Sequence, residues 1–285
     1  MRNTLTIICC LALLMGIVAG CAPKKTDTAA SQSSSQEPVA LTNVHKNVAT
    51  SFKLSTGEVC QELVDVSATY PKFFKDQAST EKLQKLFIST VLEGNDSLNI
   101  DQAVQAYAES ITDQDPDSDD DNSSEEATDA GEDVYANGMN KYVVTVNITI
   151  AYHQHDVITF CKEETVKKND VASKTHKYYN IDLKELKVVD LTMFKDESLN
   201  DICILLKKKL MEQNNVTSAD ALNDLGYFNI DNLSVTGNFS FDENGITWSY
   251  LPQELAANAN IEPKITLDYG TLKQFAANGS VLSRF

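Results

Sequence analysis

The chain has 285 residues, 42% hydrophobic and 23% charged, which is enough for a globular part with a sizeable core. Its formal net charge is −17 and, apart from Lys207-Lys208-Lys209 at a helix end, no stretch clusters Lys or Arg, which argues against a nucleic-acid partner. Residues 113–133 alone hold 11 acidic and no basic residues, so the remainder carries only an ordinary mild acidic excess.

From the first residue, Met1-Arg2 precedes an almost wholly apolar run from Leu5 to Val18. That is the length of a signal-peptide core and too short for a comfortable membrane span, and no other apolar run reaches spanning length. Val18-Ala19-Gly20-Cys21 resembles the lipobox read by lipoprotein signal peptidase. The expectation is a signal peptide over residues 1–20, cleavage before Cys21 and a lipid on that cysteine, the buried lipid carbons anchoring the protein to a membrane. Ala22, in place of an Asp, fits sorting to the outer membrane, with either face open to the folded part. Residues 21–50, rich in Ser, Thr, Gln, Ala and Lys, read as a flexible tether.

Folded sequence is expected from Ser51. Phe52–Tyr70 reads as extended, closing at Tyr70-Pro71. Leu83, Leu86, Phe87 and Val91 recur at helical spacing after Ser79-Thr80 and before Gly94, and a second helix over Ile100–Ile111 follows. The acidic segment 113–133 reads as a disordered insert. Asp115, Asp117, Asp119 and Glu126 within it have EF-hand spacing, but Asp120 stands where such a loop needs Gly, so a solvated acidic loop is the preferred reading. Tyr142–Tyr152 alternates as a half-buried strand, and Val157–Lys167 and Lys174–Leu183 continue a meander. Leu199–Leu210 is an amphipathic helix, Ala219–Leu225 a short one, and Ser234–Phe241 with Ile246–Leu251 a hairpin around Asn244-Gly245. Lys264–Tyr269 is a last strand and Thr271–Ala277 a terminal helix. The fold class is therefore α+β, an antiparallel β-meander and hairpin packed with amphipathic helices.

The order of these elements, with Ala68-Thr69-Tyr70-Pro71-Lys72-Phe73, Tyr179–Leu183 through Val189–Phe194, Asn238–Phe241, Gly245–Pro252, Ile265–Tyr269 and Leu272, resembles one family. It is the domain found in the extracytoplasmic part of the anti-sigma factor RsiV and beside the catalytic domain of the peptidoglycan deacetylase PdaC. The resemblance spans residues 51–285 and implies two halves, a PdaC-like half over 51–182 and an RsiV C-terminal-like half over 183–285. It also implies ligands of the cell envelope, such as peptidoglycan fragments or a lysozyme-like protein. Two loops depart from the family pattern: Val171–His176 keeps only the His of a Gly-Gly-Ala-His turn, and Gln253–Ala256 keeps only Glu254. His176, Gln253 and Glu254 are the ligand-loop residues this implies.

No GxSxG, HExxH, P-loop or GxGxxG motif occurs, so no catalytic residue is assigned and the expected role is non-enzymatic binding or sensing. The alternative is an envelope hydrolase with an unrecognised carboxylate or His site. No cofactor and no metal are expected. His153 and His155 read as turn histidines, and Ile246, Trp248 and Tyr250 as core rather than a sugar-stacking row. Cys60, Cys161 and Cys203 are too few and too scattered for a disulfide framework, though one pair would fit an oxidising compartment.

Overall fold

The structure is a computed structural model that describes residues 38–53, 59–112, 140–168, 171–257 and 262–285. Cys21 with its signal sequence, and the acidic segment 113–133 with its EF-hand-like spacing, lie outside the described residues.

Regular structure starts earlier than the composition suggested. Val39–Lys53 is a strand, β1, so the stretch expected to end the tether is part of the sheet. Its exposure alternates: Val44, Lys46 and Val48 are half-buried while Asn43, His45 and Asn47 are exposed. Few of its inward residues are strongly apolar, so the period-2 signal is weak against the Ser- and Thr-rich sequence around it. An ion pair of 2.8 Å joins inward Lys46 to Asp101 on a covering helix. A charge paired on the inward side of an edge strand also discourages edge-to-edge pairing with other chains.

Six strands form the main sheet in sequential order: β1, β2 (Val59–Phe74), β3 (Asn140–Gln154), β4 (Val157–Lys168), β5 (Val171–Asp182) and β6 (Lys187–Val189). All neighbours are antiparallel except β2 and β3. A parallel pair cannot be closed by a hairpin, and here the crossover carries α1 (Gln77–Thr90) and α2 (Ile100–Thr112). Asp76 starts α1 by accepting the Ser79 backbone N–H at 2.7 Å, the capping arrangement that satisfies an orphan donor. The two helices cover one face of the sheet. Leu83, Phe87 and Ile88 of α1 and Ala103, Val104 and Ala108 of α2 pack on Val64, Val66 and Ala68 of β2 and Val144, Val146 and Ile148 of β3. The Phe87 and Phe160 rings meet edge-on at 5.1 Å.

A second core gathers Tyr152 and Val157 with residues from 189 onward. It comprises α3 (Leu199–Gln213), α4 (Ala219–Asp224), a three-stranded antiparallel sheet of β7 (Phe239–Phe241), β8 (Gly245–Ser249) and β9 (Lys264–Asp268), and the single turn α5 (Tyr269–Leu272). Ile246, Trp248 and Tyr250 are buried in it with Phe194, Phe239, Phe241, Leu206 and Leu210, so the aromatic row is core, as its alternation predicts. The hairpin turn is set by Asp242, whose Oδ1 accepts the N–H groups of Asn244 (2.7 Å) and Gly245 (2.9 Å). A Cβ at Gly245 would lie 2.1 Å from the Leu267 carbonyl oxygen, so only glycine lets β8 approach β9 there. The first hairpin strand is shorter than predicted, three residues instead of eight, and the terminal helix is one α-turn followed by a 3-10 turn over Lys273–Phe275.

The two cores meet at β5. Beyond its pairing with β6, the free edge of β5 is closed by side chains. Asn238 donates to the His176 carbonyl (3.0 Å) and accepts from the Tyr178 N–H (2.9 Å), imitating a strand neighbour, and also donates to the Ser249 carbonyl (3.0 Å). Glu262 accepts the His176 backbone N–H at 2.7 Å. Buried Asn180 adds a bond to the Phe239 carbonyl at 2.8 Å. Near the C-terminus, Arg284 grips buried Asp182 through two bonds of 2.8 and 2.7 Å. Burial works to raise the Asp182 pKa, but the Arg284 guanidinium and the N–H groups of Glu185 and Lys184 outweigh it and hold the carboxyl below its usual range.

Candidate functional site

On the helix-covered face, a cleft of about 370 Å³ opens between α2 and strands β2 to β5, at the low end of the range for small-ligand sites. The pleat explains its lining. Glu62 of β2, Tyr142 and Val144 of β3, Lys162, Glu164 and Val166 of β4, and Thr175 and Lys177 of β5 are spaced two apart on one face. Pairing sets Glu62 beside Tyr142, Val144 beside Val166, and Glu164 beside Thr175. Tyr107, Ser110 and Ile111 come from α2, and Leu251 reaches in from the segment after β8.

Lys162 is the centre of the cleft and is buried. Its ammonium stands 3.4 Å from the Val91 carbonyl oxygen and 3.6 Å from Glu93 Oε1. It also lies 5.1 Å from the Tyr107 ring and 5.3 Å from the Tyr179 ring, within cation–π range of both. Burial pushes the Lys162 pKa down, and Glu93 opposes that shift. Glu93 sits just past α1 with φ 53°, a left-handed residue that turns the chain and places its carboxylate over the sheet. It accepts from Lys177 Nζ at 2.7 Å and from the Tyr179 hydroxyl at 3.0 Å, and the Lys177 bond leads in holding its pKa below the ordinary value. The Tyr107 and Tyr179 hydroxyls are pushed up, first by burial and then by nearby carboxylates, and so stay protonated donors.

The residues singled out by the resemblance are placed differently. His176 is inside β5 rather than in a loop. Its Nδ1 lies 2.6 Å from Glu262 Oε2 and its Nε2 3.1 Å from Glu163 Oε2, so both ring nitrogens are engaged within the protein. Glu163 also receives Lys174 at 2.8 Å. Gln253 and Glu254 do occupy an exposed turn, Gln253 with φ 67°. Glu254 folds back to accept the Leu251 N–H at 2.9 Å, stabilising the turn that presents Leu251 to the cleft. It is Glu262 that meets His176, so the three residues form no common concave site.

His155 lies in the β3–β4 turn with φ 53°, its Nδ1 3.0 Å from the Tyr152 hydroxyl and its ring 4.6 Å from Phe285, while His153 is half-buried and burial lowers its pKa. Among the described residues no group of three or more His, Cys, Asp and Glu is arranged to hold a metal ion. No disulfide joins Cys60, Cys161 and Cys203. No helix of the described residues is long and apolar enough to cross a membrane.

One sequence signal does point to the cleft. Ile158, Phe160, Lys162, Glu164 and Val166 share one face of β4, and charges interrupt that inward-facing series at 162 and 164. Polar residues at core positions are costly unless they are paired or used. Glu93 and Tyr107 have no such signal, because only the crossover brings them to the strand.

The architecture is α+β: one largely antiparallel six-stranded sheet under two helices, joined to a smaller helix-and-hairpin unit. Residues 192–270 match the model of the DUF3298 family, described as a protein of unknown function. The fold is similar to the crystal structure of a DUF3298 family member from Bacteroides fragilis, with a TM-score of 0.65 and 20% identity, covering 87% of this chain and 98% of that one. It is also similar to a DUF3298 family protein from Pseudomonas aeruginosa, with a TM-score of 0.54 and 10% identity, covering 87% and 97%. No curated protein matches the chain.

Proposed function

We propose that the chain is an envelope lipoprotein, anchored through Cys21 to the outer membrane, whose folded part binds a peptidoglycan-derived fragment in the cleft around Lys162 without transforming it. The observation that carries this reading is the cleft itself: Tyr107 and Tyr142 in its wall and a buried ammonium fixed by Glu93, beside apolar Ile111, Val144 and Val166. Flat rings suit sugar faces, and pre-positioned charges suit the carboxylates and amines of a peptide stem. The resemblance to the RsiV and PdaC-associated domain supports the same ligand class. A cleft of about 370 Å³ accommodates a small fragment rather than a protein face, which favours the glycan-peptide over a lysozyme-like partner.

Calorimetry with purified muropeptides, and in parallel with lysozyme at low and high salt, tests the reading. Muropeptides bind the wild-type chain, and Tyr107→Ala weakens them by roughly tenfold, the loss of one stacking or cation–π wall. Binding of lysozyme alone, or muropeptide affinity untouched by Tyr107→Ala, contradicts it. Palmitate labelling of wild type and its loss in Cys21→Ser tests the anchor, and fractionation of the labelled protein with the inner membrane contradicts the outer-membrane address.

A further inference from the structure

We propose that the cleft takes its ligand by an alkylammonium group, a primary amine on an aliphatic stem, with Glu164 as the counter-ion. The proposal rests on the reading of the cleft as a binding site and names the chemistry of what enters it.

The charges of the cleft are not equally committed. Lys162 is shared among the Val91 carbonyl, Glu93 and two tyrosine rings. Lys177 is bonded to Glu93 and lies over Tyr179 at 5.4 Å. Glu93 in turn is bonded to Lys177 and Tyr179. Glu164 is different. It is half-buried, lines the cleft two residues along β4 from Lys162, and has no hydrogen-bond or ion-pair partner among the described residues. Its field nevertheless reaches inward, raising the proton affinity of Tyr107, Tyr179 and Lys162. A half-buried carboxylate that feels Lys162 only through space, with no bond to it, keeps its oxygens open to a second cation, and a low-dielectric wall strengthens that preference.

The surroundings select the rest of the group. Ile111 of α2, Val144 of β3 and Val166 of β4 bring apolar surface from three elements to the same cleft as Glu164. That surface suits methylenes next to the charge, while Ser110 and Thr175 line the same cleft. The wall is already compatible with an ammonium, since Lys162 keeps its own against Tyr107 and Tyr179 at 5.1 and 5.3 Å. An entering anion would meet Glu93 and Glu164 and would have to displace Lys177 or Lys162 from Glu93.

The chain is titrated with propylamine, pentylamine and 1,5-diaminopentane, and with pentanol and pentanoate as uncharged and anionic controls, by amide chemical-shift perturbation. A muropeptide with a free side-chain amine is compared with its N-acetylated form. The amines bind, and pentylamine exceeds propylamine by about fourfold or more for the added methylenes. High salt weakens them. Glu164→Gln, at a half-exposed position that preserves shape, weakens the amines and the free-amine muropeptide by roughly tenfold, the loss of one bond to a charged group. Ile111→Ser flattens the dependence on stem length and keeps the test independent of the Glu164 variant. Pentanol binding as well as pentylamine, or Glu164→Gln without effect, overturns the proposal. A muropeptide that binds equally whether acetylated or free overturns the ammonium assignment and leaves the cleft reading standing. No binding by any probe overturns both.

Discussion

The two cores of this protein solve burial in different ways. The smaller unit, built around β7, β8 and β9, is filled with large side chains: Phe194, Phe239, Phe241, Trp248 and Tyr250 are all at most 2% exposed. The larger sheet is equally dry under α1, where Phe87 and Phe160 pack. Toward α2 and β5, however, it gives way to Glu62, Lys162 and Glu164 at positions that by parity belong to the core. Buried ionic groups stabilise poorly compared with apolar ones of the same volume. The DUF3298 match covers residues 192–270, which is most of the aromatic unit, while of the cleft lining only Leu251 falls inside it. The contrast separates a tightly packed unit, where the DUF3298 match lies, from a neighbouring sheet that carries the proposed binding cleft.

The largest effect expected from this contrast is in the aromatic core. Trp248→Ala removes a fully buried ring and costs about 3–5 kcal/mol, read as the shift of a denaturant midpoint. An effect below about 1 kcal/mol would break the claim that this unit is tightly packed. Arg284→Met leaves Asp182 buried without its partner and costs about 3 kcal/mol at neutral pH. Because the native Asp182 pKa is depressed, this contribution is full above about pH 4 and fades as pH falls through the lowered native value. The gap between wild type and Arg284→Met therefore narrows in acid, and a gap that is constant from pH 7 to pH 2 would contradict the assignment.

Asn238→Ala removes the amide that closes the β5 edge and costs about 2 kcal/mol. It should speed hydrogen exchange at the Tyr178 amide before the centre of either core opens. Lys162→Met gives the smallest stability change, within about 1 kcal/mol, because Glu93 keeps Lys177 and Tyr179 and a methionine fills the vacated space. A loss of several kcal/mol would make Lys162 part of the packed structure and dissolve the contrast.

Much of the fold is written locally. The strands β2 and β3 show period-2 burial, α1 and α2 show helical spacing although Asp76 rather than Ser79 or Thr80 caps α1, and the Asp242–Gly245 turn carries its own geometry. β1 is not legible, because an edge strand with Lys46 facing inward has little apolar alternation. The parallel pairing of β2 with β3 is equally hidden, since tertiary crossover and not strand composition decides it. The same holds for the site. Lys162 and Glu164 break an apolar series and can be noticed in the sequence, whereas Glu93 and Tyr107 join them only through the crossover helices. His176 was visible as a distinctive residue, but its partners Glu163 and Glu262 lie 13 residues before it and 86 after it, and they turn it from a ligand-loop residue into a tie between the two units.

The most direct test of the central claim is to map amide chemical-shift changes on adding a muropeptide that carries a free amine. The account predicts that they cluster on α2 and on β4 and β5 around Tyr107, Lys162, Glu164 and Thr175, and that Glu164→Gln needs roughly tenfold more ligand to produce them. Changes confined to residues 192–249, within the aromatic unit, would contradict it.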